Sequence, residues 1–219
     1  VKGKSVKASS GNEERVREIL RLLKKQYPRP RTALNYTTPF ELLVATVLSA
    51  QTTDVQVNRI TERLFKKYKT VKDYSSAPTG AFQKDVSGVN FYKTKAKNIQ
   101  NAARAVVESY SSQVPKTMEE LVTLPGVARK TANIILSNAF GINEGIAVDT
   151  HVKRLAQRLG LTSSDKPEKI EQDLMAITPA KDWGNLSHLL IFHGRQVCIA
   201  KKPRHDECVL YDLCPSRNI

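Results

Sequence analysis

The chain has 219 residues, 40% of them hydrophobic, enough for one large domain or two small ones built around real cores. Its 35 Lys and Arg against 21 Asp and Glu leave a formal net charge of +14, which favours a polyanion such as nucleic acid as partner. The longest apolar run, 42–48, is far too short to span a bilayer, so a membrane partner is not expected.

The first eleven residues are basic but lack the apolar stretch of a signal peptide. They read as a disordered tail, or as a remnant of truncation or cloning since the chain begins at Val1. An intracellular, reducing setting is expected. Val16, Ile19, Leu20 and Leu23 then recur at helical spacing, which predicts an amphipathic helix over 12–26 that Pro28 and Pro30 bring to an end. Thr38-Pro39-Phe40-Glu41 is a capping box with proline in the first turn. The segment behind it is apolar almost all round and predicts a central buried helix. A third helix is expected over 54–68 and shorter pieces over 70–92, broken by Pro78, Gly80 and Gly88. A longer helix follows near 93–110. Thr117 and Glu120 form a second capping box, and further helices fit 149–159, 167–176 and 183–193. No alternating strand pattern competes, so the fold class is all-α.

LPGVARKTA, 124–132, lies between two helical patterns. Pro125 fixes the entry to a turn, and Gly126 tolerates a positive φ and close backbone approach. The next helix begins with free N–H groups that, with the helix dipole, can hold a phosphate. Leu124 and Val127 anchor the hairpin, and Arg129 joins the candidate DNA contacts. Such a grip is independent of base sequence. Read alone, the segment favours DNA binding over an ordinary corner between two helices, but it does not separate a catalytic site from a noncatalytic DNA-binding module.

Lys130 stands at the mouth of this hairpin, where an amine can attack C1′ of a sugar and form a Schiff base. A free lysine is mostly protonated at neutral pH: a reference pKa of about 10.4 leaves roughly one amine in a thousand neutral. A nucleophilic lysine therefore needs positive potential or desolvation, and a helix start and a bound nucleotide supply these. Asp149, nineteen residues on in VDTH, can accept a proton or stabilise positive charge on the sugar as the base leaves. It also precedes a periodic helix as a natural N-cap, and the two roles are compatible.

All three cysteines, Cys198, Cys208 and Cys214, fall in the last 22 residues. With His205 they form the spacing C-x6-H-x2-C-x5-C. An odd, tight set in an intracellular protein reads better as metal ligation than as disulfides.

The order of LPGV, Lys130 and the VDTH aspartate resembles the helix-hairpin-helix signature of DNA glycosylases. The segments LNYTTPFELLVATVLSAQTTDVQVN, NIILSNAFG and FHGRQVCIAKKPR extend the resemblance to the endonuclease III family over nearly everything after residue 12. The resemblance implies excision of oxidised pyrimidines from double-stranded DNA, followed by β-elimination at the abasic site, by a monomer. Lys130 and Asp149 occupy its catalytic positions. It further implies a six-helix domain over 32–142 carrying the hairpin. The N-terminal helix within 1–31 and residues 143–219 would form a second helical domain, with a metal-cluster loop and a DNA cleft between the two domains.

The same resemblance places Gln51 in the stack vacated by a flipped base and Phe91 as a wedge on the opposite strand. It places Lys201, Lys202 and Arg204 against phosphates. The adenine-excising branch carries a glutamate where Thr46 stands, and a monofunctional mismatch glycosylase remains a third reading. The family holds a [4Fe-4S] cluster on four cysteines, and His205 replaces the second of them. Three readings are open for that loop: a cluster on three thiolates and an imidazole, a Cys3His zinc site, or no metal.

Overall fold

The computed structural model describes residues 10–218; of the expected eleven-residue tail, residues 1–9 lie outside the described residues, and the last two already belong to the first helix. The described residues form helices and no strands, which gives the all-α class. The chain divides into two compact units, one made of residues 32–142 and the other of the segments on either side.

In the first unit, α2 (Pro39–Ser49) is the central helix, with every residue from Phe40 to Leu48 buried except Glu41. Its box is complete: Thr38 Oγ1 accepts from the Glu41 N–H at 3.1 Å, and Glu41 Oε2 accepts from the Thr38 N–H at 3.2 Å. Around it pack α3 (Asp54–Lys67), α4 (Val71–Ser76), α5 (Thr79–Asp85), α6 (Tyr92–Ser109), α7 (Met118–Leu121) and α8 (Arg129–Ile135). The six helices expected here are thus seven α-helical segments among the described residues, because 71–85 splits at Pro78. Gly80 does not break a helix: it sits in the first turn of α5, where backbone freedom costs little. The second box is half formed. Thr117 Oγ1 caps the Glu120 N–H, but the Glu120 carboxylate takes the Thr117 hydroxyl proton at 2.8 Å instead of its backbone N–H.

The predicted helix through TANIILSNAF continues α8 as one π-helical turn, Leu136–Phe140, closed by left-handed Gly141. The wider turn frees the Asn138 carbonyl to accept from the Tyr36 hydroxyl at 3.0 Å.

The second unit packs α1 (Ser10–Gln26), α9 (Thr150–Arg158), α10 (Pro167–Ile177) and α11 (Trp183–Gln196) around Val16, Ile19, Leu23, Leu155, Leu174, Leu186 and Leu190. The chain then leaves helix for a loop with two short 3-10 turns.

Candidate active site and metal centre

The hairpin is built by packing below and space above. Leu124 and Val127 are buried, and the Val127 N–H donates to the Leu124 carbonyl at 3.0 Å to close the turn. Gly126 has φ +82°, and a Cβ there would lie 2.9 Å from Asn98 Cβ on α6, so glycine is required on both counts. Ala128 is the N-cap of α8 and supplies no side-chain bond, so the first N–H groups of that helix are not spoken for by a cap. Arg129 and Lys130 open the helix and are exposed. An ammonium thus sits in the first turn, where the dipole is positive.

Gln51 and Phe91 are both exposed and both left-handed, with φ 53° and 56°. That conformation costs a non-glycine residue about 1–2 kcal/mol, so each is held by its surroundings. Phe91 is 67% exposed, so its ring is not part of the core.

In the other unit, Asp149 is the N-cap of α9. Its Oδ1 accepts from the N–H groups of His151 and Val152, each at 2.8 Å, and Oδ2 takes no part in the cap.

The C-terminal loop gathers Cys198, His205, Cys208 and Cys214 around one small cavity, which Arg158, Pro203 and Tyr211 also line. The three cysteines are free thiols. Burial pushes the Cys208 thiol up, and the neighbouring Cys198 and Cys214 add to that. Three thiolates crowded this way need positive charge, which iron supplies. His205 Nε2 is buried with no hydrogen-bond partner, an orphan that a metal bond would satisfy. Among the described residues, no three of His, Cys, Asp and Glu converge tightly enough for a single ion. A mononuclear zinc needs all four donors on one atom, whereas a four-iron cluster takes each on a different iron. Donors set around a cavity in this way fit a four-iron cluster.

Several supporting residues carry no sequence signal. Arg158 Nη1 donates to Cys198 Sγ at 3.2 Å and to the Ile199 carbonyl at 2.9 Å. Arg154 holds the carbonyls of Gly194 and Cys198. Arg15 donates to the carbonyls of Leu213 and Leu159. His193 is 1% exposed, and burial pushes it down to about 4, so it is neutral. One tautomer then satisfies a chain in which the Tyr27 hydroxyl donates to Nδ1 at 3.3 Å and Nε2–H donates to Cys208 Sγ at 3.3 Å. Lys201, Lys202 and Arg204 are exposed, but Arg204 is 3.4 Å from the Glu207 carboxylate and so is not a free cation.

Comparison with known proteins places these features. The HhH-GPD superfamily of base excision DNA repair proteins matches over residues 44–180. The iron-sulfur binding domain of endonuclease III matches over 198–214. Endonuclease III of Synechocystis sp. is 51% identical over 207 residues, covering 94% of each chain. That of Escherichia coli (strain K12) is 39% identical over 203 residues, covering 93% of this chain and 96% of its own. A solved structure of a trapped endonuclease III–DNA covalent intermediate superimposes with a TM-score of 0.88 at 41% identity, over 94% of this chain and 96% of that one. A thermostable thymine-DNA glycosylase, at 22% identity and a TM-score of 0.83, over 95% of this chain and 99% of that one, shares the fold. Hairpin, fold and iron-sulfur segment together define an HhH-GPD base excision DNA repair enzyme. Within that class, the chain belongs to the endonuclease III family, DNA glycosylases with an associated lyase activity on abasic sites.

Proposed function

We propose that this protein, acting as an intracellular monomer, excises oxidised pyrimidines from double-stranded DNA and cleaves the resulting abasic strand through Lys130. The observation that carries this reading is the first turn of α8. A hairpin whose Gly126 admits no side chain presents uncapped N–H groups to a phosphate and Lys130 directly beside them. Phosphate held there brings a flipped nucleotide's sugar to the amine. Lys130 Nζ bonds to C1′ as the glycosidic bond breaks and the base leaves with the electron pair. Asp149 stabilises the positive charge that develops on the sugar. The lysine nitrogen sheds a proton, the ring oxygen leaves C1′ with its electron pair and takes a proton up, and an iminium remains at C1′. Loss of a C2′ proton then breaks the C3′–O bond and expels the 3′ phosphate with that bond's electron pair. Gln51 fills the vacated stack and Phe91 wedges the opposite strand. Arg129, Lys201 and Lys202 contribute charge to phosphates, with Arg204 shared with Glu207.

Cys198, His205, Cys208 and Cys214 hold a [4Fe-4S] cluster, and the orphaned His205 Nε2 supports imidazole as the fourth ligand. The cluster orders the loop that carries Lys201 and Lys202.

The test is a panel of duplexes, each with one defined lesion. Ring-oxidised or ring-saturated pyrimidines should be excised with coupled strand cleavage. Excision without cleavage would favour the mismatch-glycosylase reading, and binding without excision a noncatalytic module. Affinity for every duplex should fall steeply with salt, with about −0.9 in log–log slope for each phosphate neutralised. A flat response from low to physiological salt would remove the basic surface from the account.

A further inference from the structure

Gln51 and Phe91 lie forty residues apart in sequence, yet the structure ties their loops together through two residues that touch neither the base nor the sugar in the reading above. Lys95 is only 6% exposed. Its ammonium donates to the carbonyls of Leu48 at 2.8 Å and Ala50 at 2.6 Å and to Thr52 Oγ1 at 3.3 Å. An ammonium has three protons, and all three are used. Two of the acceptors are carbonyls at the C-terminal end of α2, where the helix leaves carbonyls unpaired and the dipole is negative. The third lies just past Gln51. The lysine therefore caps α2 and forces the chain to turn at Gln51, which has the left-handed φ that residue would otherwise avoid.

Asn90 makes the second tie. Its Nδ2 donates to the Gln51 carbonyl at 2.6 Å, and its own N–H donates to Thr52 Oγ1 at 3.3 Å. Phe91 follows directly, and its carbonyl accepts from the Lys95 N–H at 3.1 Å. The same loop is pressed onto α3, where Gln56 Nε2 donates to the Gly88 carbonyl at 3.2 Å. A Cβ on Gly88 would stand 2.9 Å from Ile60 Cδ1, so this loop lies close against the side chains of α3. One helix carries the assembly. Phe91 is the N-cap of α6, Lys95 and Asn98 follow at i, i+3 spacing on one face of that helix, and Asn98 is the side chain against Gly126 in the hairpin. Wedge loops and phosphate grip are thus indexed to one rigid rod.

We infer that Lys95 and Asn90 are positioning residues that lock Gln51 and Phe91 into one preformed wedge, so that the two side chains enter the duplex together as a single tool. This rests on the wedge roles of Gln51 and Phe91 proposed above. A preformed tool spends none of the binding energy on ordering its loops, so its benefit falls on base extrusion and not on the chemistry at C1′. Burial lowers the pKa of Lys95, and the three acceptors keep it useful as a charged cap.

The test compares two substrates for the full-length holoenzyme under single-turnover conditions. The first is a duplex with one 5,6-dihydrothymine paired to adenine and 2-aminopurine beside it, which needs extrusion and reports it by fluorescence. The second has a preformed abasic site in an unpaired bulge, which needs no extrusion. Asn90→Ala removes an exposed side chain, and Lys95→Met replaces the ammonium with an apolar group of similar length. Both should slow excision from the paired duplex about tenfold and reduce the 2-aminopurine rise in step, with strand cleavage at the bulge unchanged within twofold. Gln51→Ala and Phe91→Ala serve as references. Should those two leave the paired duplex untouched, the wedge reading itself falls and the inference with it. Should they impair it while folded Asn90→Ala and Lys95→Met do not, the wedge stands and the positioning role is overturned. Equal losses on both substrates would also overturn it, since that is the mark of a general structural defect. Should Lys95→Met fail to fold by circular dichroism, Asn90→Ala alone decides the outcome.

Discussion

Lys130→Ala abolishes the borohydride-trapped complex with abasic DNA, and excision coupled to cleavage falls by at least on the order of a thousandfold. No other amine stands in the first turn of α8, and a nucleophile cannot be replaced by phosphate contacts from elsewhere. Lys130→Gln gives the same loss of trapping but still binds the abasic duplex, because the hairpin holds phosphate through backbone N–H groups that the substitution leaves in place. The measurement is covalent capture on a denaturing gel followed by peptide mapping. A crosslink that persists in Lys130→Ala would remove this lysine from the mechanism. Asp149 allows a cleaner separation of structure from chemistry. Its cap uses Oδ1 alone, and asparagine is as good a cap as aspartate. Asp149→Asn should therefore keep the thermal midpoint and α9, yet lose roughly a hundred- to a thousandfold in excision rate as its charge is removed. Asp149→Ala should add about 1 kcal/mol of instability to that loss.

The parts of this molecule that are legible in sequence are those written in periodicity and punctuation. The apolar spacing of Val16, Ile19, Leu20 and Leu23 marks α1 because nothing but burial is required of that face. Thr38 and Glu41 announce α2 because a capping box is local. The hairpin and Asp149 are legible for the same reason: a positive φ at Gly126 and a cap at Asp149 need only neighbours in sequence. The rest fails in a consistent way. Thr117 and Glu120 carry the box pattern, but the hydroxyl donates to the carboxylate directly and half of the motif does not form. The π turn at Leu136–Phe140 reads as plain helix, since the Tyr36 hydroxyl that takes up its Asn138 carbonyl lies 102 residues away. Lys95 reads as one more surface charge among 35 Lys and Arg, and only the fold brings three acceptors to it. His193 reads as an ordinary helical polar residue until Tyr27 and Cys208 appear on either side of its ring. Long-range polar satisfaction is what a single sequence does not encode locally.

Anaerobically purified protein should hold about four iron and four sulfide ions per chain and no stoichiometric zinc. His205 decides how that cluster behaves. Imidazole places less negative charge on iron than thiolate, so His205→Cys should move the reduction potential in the negative direction by on the order of 100 mV and slow loss of iron to a chelator severalfold. His205→Ala removes the fourth protein ligand and should lose iron fastest. Stoichiometric zinc without iron would show that the family's cofactor has been exchanged. Pro203, Pro215 and a run of charges give this loop little burial of its own, but its hydrogen-bonded anchors are unevenly placed. Arg154 and Arg158 pin the carbonyls of 198–200, while Arg15 and fully buried Leu210 pin 210–213. Between those anchors, 201–207 is tied to the rest of the loop by the Arg204 N–H to Val197 carbonyl bond; its other backbone bonds, Glu207 N–H to the Arg204 carbonyl and Cys208 N–H to the His205 carbonyl, are local turns, and the Arg204–Glu207 pair is exposed. Removing the metal should therefore raise hydrogen exchange over 201–207 and leave 198–200 and 210–213 protected. The loosened segment is the one that carries Lys201 and Lys202. DNA affinity should drop severalfold and its salt slope should become shallower by one to two units, as about that many phosphate contacts are lost. Trapping at Lys130 with saturating abasic DNA should change less than twofold, because α8 belongs to the other unit and the loss is one of charge on the DNA, not of the nucleophile.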